Sequence, residues 1–135
     1  MKTNFLILFI LFVGLYTGVS AQTDEKKPNA NGVFVVVEEM PQFPGGEAAF
    51  REFVAKNVVY PPQAIKDSVT GKVYVTFVID EKGVVCDAKI VRGVHPLLDE
   101  EALRVIKSSP AWIPGKQRGV TVKVAYTSPI MFALK

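Results

Sequence analysis

Three adjacent acids, Asp99, Glu100 and Glu101, are the nearest thing in this sequence to a general acid–base pair. They stand just ahead of a helical apolar stripe. There a capping Asp and first-turn acids complement a helix N-terminus, which explains them better than catalysis does. His95 is the sole histidine. It precedes Pro96 in a turn, with no Cys or second His at ligand spacing, so no metal site is expected. Cys86 is the sole cysteine. It sits beside Val85 in a strand-like run and reads as a small buried apolar residue, and no internal disulfide can form. Pro44-Gly45-Gly46 is a turn and lacks the G-x-G-x-x-G spacing of a phosphate loop. With no nucleophile–base pair and no cofactor motif, the expectation is a binding protein rather than an enzyme, without a cofactor.

The elements that hold these residues follow a secretory-type start. Lys2 precedes Phe5 to Val13, a wholly apolar run, and small residues continue to Val19-Ser20-Ala21 before polar Gln22. Residues 1–21 therefore read as a signal peptide, and the chain as periplasmic. The rival reading is an inner-membrane anchor facing the periplasm, for which the 15 residues from Phe5 to Val19 are short. No Cys stands near the boundary for a lipid anchor. Residues 1–21 carry one charge, Lys2, so cleavage lowers the net charge from +3 to +2. So balanced a surface makes no case for nucleic acid. Residues 22–32 read as a flexible linker, spanning at most about 35–40 Å.

Val33 to Val37 is β-branched and aromatic and reads as a short strand. After the Pro41–Gly46 turn the period becomes helical, with Ala49, Phe50, Phe53 and Val54 on one face of a helix over 47–57. Tyr60-Pro61-Pro62 opens a second short helix, with Ala64 and Ile65 inward. Gly71 to Asp80 alternates, with Val73, Val75, Phe77 and Ile79 on one side. Asp80-Glu81-Lys82-Gly83 turns the chain into a returning strand over 84–91. Leu98, Ala102, Val105 and Ile106 mark a third helix, with Asp99 as its cap. Trp112, Pro114 and Gly115 form a loop, with Trp112 a core plug. Val120 to Thr127 alternates again. Pro129 interrupts it, and an apolar run resumes at Ile130. The fold class expected is α+β: an antiparallel sheet of about three strands with two or three helices on one face.

A run of ordered pieces resembles the TonB C-terminal domain family. Tyr60-Pro61 opens a helix containing Ala64. Gly71-Lys72-Val73 leads into Val75-Thr76-Phe77-Val78-Ile79-Asp80, then come Gly83 and Ile90-Val91-Arg92. Leu98-Asp99 opens a helix holding Ala102 that ends near Pro110-Ala111-Trp112. Trp112-Ile113-Pro114-Gly115-Lys116 precedes Gly119, and Val122 to Tyr126 leads to Pro129-Ile130 and Phe132. No piece is specific alone; their order and spacing are. The likeness covers 60–135 as the domain, with 33–59 as an N-terminal strand-and-helix extension. Within that extension, Val37 to Gly46 is similar to what precedes the domain in one large branch of the family.

The resemblance implies that a peptide segment of an outer-membrane TonB-dependent transporter adds as a strand to the last strand. The implied edge is Val120, Thr121, Val122, Lys123, Val124, Ala125, Tyr126 and Thr127. Tyr60 and Pro61 are implied as further partner contacts, although they also have a plain structural use in ending one helix and starting the next. Phe5 to Val19 has no His of the kind family anchors carry, and the linker is short, so contact with motor proteins is not expected. A second class of reading stays open: an exported assembly domain whose edge pairs with an envelope protein or with a second copy as a homodimer.

Overall fold

The computed structural model describes residues 27–134. The expected signal segment over 1–21 and the first residues of the linker lie outside the described residues. In order, the elements are β1 (Val33–Phe34), α1 (Glu47–Asn57), α2 (Pro62–Lys66), β2 (Gly71–Ile79), β3 (Val85–Arg92), α3 (Pro96–Lys107), β4 (Gly115–Gln117) and β5 (Val120–Phe132). Strand order is β1-β5-β2-β3, with β4 also paired to β5. The central pairings β2–β3 and β2–β5 are antiparallel, and β1 runs parallel to β5. The α+β class holds: three long antiparallel strands with three helices, extended by two short strands.

The core forms where the two periods meet. Val73, Val75, Phe77 and Ile79 are buried on one face of β2, and Leu98, Ala102, Val105 and Ile106 are buried along α3. Ile130 and Phe132 of β5 close the same core. Trp112 is 4 % exposed and does serve as a core plug. Its ring lies 5.1 Å from Phe50, 5.6 Å from Phe43 and from Phe77, and 5.3 Å from Tyr126. Its indole N–H donates to Ser109 Oγ at 2.8 Å.

Several sequence expectations change. Ile65 points outward at 48 % exposure, because the five-residue α2 has room to bury only Ala64. His95, rather than Asp99, caps α3, its Nδ1 accepting from the Leu97 N–H at 3.1 Å. Asp99 lies one turn in and accepts from the Val94 N–H at 3.0 Å. The expected strand over 33–37 contracts to two residues, because Val37 is drawn into the core while Val35 and Val36 turn outward. The loop holds over 112–114, but Gly115 opens β4, which a two-residue turn at Arg118 and Gly119, both at positive φ, folds back onto β5. β5 runs straight through Pro129. Cys86 is half-buried in β3, and burial together with Asp87 and Asp80 raises its thiol pKa.

Candidate functional site

The expected edge strand has two different halves. Val120, Thr121 and Val122 pair with Gln117, Lys116 and Gly115 of β4. Lys123 and Val124 pair with Val33 and Phe34 of β1, and Val124 also faces Ile79 of β2. The expectation of free main-chain groups throughout 120–127 therefore fails at 120–124, which the chain's own short strands engage. The sequence shows a strand at 33–37 but not its pairing with β5, and three-residue β4 is too short to carry a periodic signal. From Ala125 to Phe132 the only strand partner among the described residues is β2. The free rim thus takes in Ala125, Tyr126 and Thr127 and continues through Ser128, Pro129, Ile130 and Met131.

Two observations fix which backbone groups face outward. Residues of an antiparallel pair alternate between exchanging both hydrogen bonds and turning both groups away. Pro129 sits opposite Tyr74 and has no N–H to give, so it belongs at an outward position. The Tyr126 carbonyl points the other way, accepting from the Thr76 hydroxyl of β2. By alternation, Thr127, Pro129 and Met131 turn their groups to the free side, with Ala125 at the boundary with β1. The rim presents donors at Thr127 and Met131 and carbonyls at all three residues. It has room for a visiting strand of about five residues, roughly 17 Å.

The rim also borders a groove of about 520 Å³. One wall is the α1 face carrying Phe50, Arg51 and Val54, continued by Val58 just past its end, and the other is Tyr126 to Pro129 with Met131. No charged residue occurs between Ala125 and Met131. The opposite edge of the sheet contrasts with it. β3 carries Asp87, Lys89 and Arg92, its register with β2 shifts twice, and Asp87 stands at φ 50. Charges and bulges of this kind discourage strand addition. Of the two edges, only the β5 rim lacks such protection.

Tyr60 and Pro61 lie away from the groove lining. The Tyr60 ring meets Phe132 edge-on at 5.5 Å, and its hydroxyl donates to the Val69 carbonyl. The first contact reaches β5, and the second ties together the two ends of the α2 segment. The wall formed by α1 was missed in the sequence, although its i, i+3, i+4 apolar spacing was visible.

The family described as Gram-negative bacterial TonB protein C-terminal matches residues 56–134. The similar solved structures include two NMR structures of the Helicobacter pylori TonB C-terminal domain. The structure of residues 194–285 shares 28% identity, covers 65% of this chain and 92% of its own, with a TM-score of 0.50. The structure of residues 179–285 shares 28% identity, covers 68% and 87%, with a TM-score of 0.51. No curated protein matches the chain.

Proposed function

The chain belongs to the Gram-negative bacterial TonB protein C-terminal family, and from that premise we propose that it is an exported periplasmic module that binds an extended segment of an outer-membrane TonB-dependent transporter along the β5 rim. Binding is by strand addition, in which main-chain hydrogen bonds supply affinity and alternate side chains supply selectivity. The observation that carries this reading is the uncharged, one-sided stretch from Ala125 to Met131. The chemistry required is confined to hydrogen bonding and apolar contact.

Register makes the test sharp. Thr127→Pro removes an outward donor and leaves the β2 ladder intact, in the arrangement Pro129 already adopts two residues on. Ser128→Pro removes an inward donor and breaks the ladder. Peptides copied from the transporter segments of the same genome, titrated against labelled protein by NMR, should perturb the amides of 125–131. Thr127→Pro should weaken binding at least tenfold while keeping its fold, and Ser128→Pro should lose stability first. Equal affinity in wild type and Thr127→Pro would remove the rim from consideration. An uncharged rim also suits a second copy. Sedimentation showing dimers that Thr127→Pro dissociates, with no peptide binding, would favour the assembly reading.

A further inference from the structure

We propose that the uncovered face of the sheet docks on a bilayer surface carrying anionic phospholipid headgroups. This goes beyond strand addition, which uses the edge of β5 and not the face of the sheet. The helices pack on the side of Val73, Val75, Phe77 and Ile79. Register puts Lys72, Tyr74 and Thr76 on the other side, opposite Met131, Pro129 and Thr127 of β5. Across the ladder to β3, Arg92 faces Tyr74 and Lys89 faces Thr76.

The net charge of the chain is small, but its distribution is uneven. Lys72, Lys89 and Arg92 are exposed, and none of them makes an ion pair among the described residues. Strand spacing and rise place the three cations within about 15 Å of one another. None of the stretches 70–76, 88–94 and 127–134 contains an acid. Asp80 and Asp87 gather toward the other end of this face, where with Lys89 and Lys123 they border a polar hollow. Behind the sheet, α3 carries Asp99, Glu100 and Glu101 against Arg104 and Lys107. A molecule polarised in this way turns its sheet face toward a negative surface.

The apolar side chains beside these cations favour a bilayer over a soluble polyanion. Met131, the register partner of Lys72, is 61% exposed, and so is Val91, next to Arg92. The Val94 side chain stands over Gly71, next to Lys72, and is also exposed. Such a surface suits the headgroup region. Apolar tips enter the acyl boundary, a tyrosine ring lies at headgroup level, and long cationic side chains reach the phosphates. A soluble polyanion would leave the apolar tips in water. Each Lys or Arg near an anionic leaflet strengthens binding about fivefold, so three give roughly a hundredfold preference over a neutral bilayer. The exported location proposed above puts bilayer surfaces within reach. Contact through the face leaves the in-plane edge of β5 open to a visiting strand.

The test uses the full mature chain and vesicles of phosphatidylcholine, alone or mixed in equal parts with phosphatidylglycerol. Co-sedimentation should show binding to the mixed vesicles and little to the neutral ones, and high salt should release it. Lys89→Glu/Arg92→Glu, at two exposed positions on the edge away from β5, should weaken it at least tenfold. Lys89→Gln/Arg92→Gln is gentler on the fold and should weaken it in the same direction by a smaller factor. Met131→Ser should weaken it about threefold or more and keep the salt dependence. Transporter peptides should still perturb the amides of 125–131 in the double reversal, which separates the face from the rim. Equal binding to neutral and mixed vesicles, or unchanged binding in both double variants, overturns the proposal. So does capture of dextran sulfate without vesicle binding, which assigns the cations to a soluble polyanion. Wild-type affinity in Met131→Ser overturns the entry of apolar side chains into the bilayer.

Discussion

Glu101 joins α3 to the strap after α1 through one carboxylate. Its Oε2 accepts from the Val59 N–H at 2.6 Å and from Arg104 Nη2 at 2.7 Å, and its Oε1 accepts from Arg104 Nε at 2.7 Å. Arg104 Nη2 also donates to the Asn57 carbonyl at 2.8 Å. The pair therefore ties the end of α1 and the strap after it to α3. The Arg104 hydrogen bonds, helped by the Val59 N–H and opposed by burial, hold the Glu101 carboxyl below its ordinary pKa. A carboxylate with a lowered folded-state pKa stabilises the fold above its unfolded value, and that stability is lost as pH falls through the folded value. Glu101→Gln should cost about 1 kcal/mol at neutral pH. Urea midpoints of wild type and variant should then converge as pH drops through the carboxylate range; a gap independent of pH would mean the charge does no work there. In the sequence Glu101 reads as a helix-dipole acid, because its Val59 partner lies 42 positions away and no local pattern announces it. Gly83 teaches the same lesson. Its positive φ of 84 suits the hairpin turn that the sequence shows. What the sequence hides is that a Cβ there would meet the Trp112 carbonyl oxygen at 1.9 Å.

At the scale of elements, the long periodic segments were legible, whereas the pairing of the short strands was not. Alternation over Gly71–Ile79 and the stripe of α3 each bury a face, so burial leaves its mark in the pattern. β1 pairs with residues far along the chain, which no local pattern announces, and β4 is three residues long, too short to show a period. That is why the candidate rim was placed at 120–127 and actually runs over 125–131. In the sequence Pro129 reads as an interruption because a proline removes a donor, yet at an outward position no ladder bond needs that donor. β1 is weakly held for so apolar a run. Only two residues of Val33-Phe34-Val35-Val36-Val37 pair, while Val35 and Val36 are 63% and 42% exposed. Regions with few buried contacts open well below the global stability. Amide exchange in β1 should therefore be at least about a hundredfold faster than at the centre of β2. Protection equal to that of β2 would make β1 a full member of the cooperative sheet.

Across the whole molecule, the upstream extension and the matched domain share one aromatic cluster. Phe43 and Phe50 come from the extension, Phe77, Trp112 and Tyr126 from the domain, and Trp112 touches rings of both. The Glu101–Arg104 tie fastens the far end of α1 as well. An element fixed at both ends by buried rings and charge-assisted hydrogen bonds should unfold together with the sheet it covers, since neither part keeps its core without the other. This matters for binding, because the groove exists only while α1 stays beside the β5 rim. Phe50→Ala removes a ring from the middle of the cluster and should cost about 3 kcal/mol. Trp112 fluorescence, reporting the junction, and far-UV ellipticity, reporting helices and sheet, should move to the same lower denaturant midpoint in this variant. If fluorescence changed at low denaturant while the ellipticity transition stayed at its wild-type midpoint, α1 would be a separately melting flap, and the groove wall would be present only part of the time.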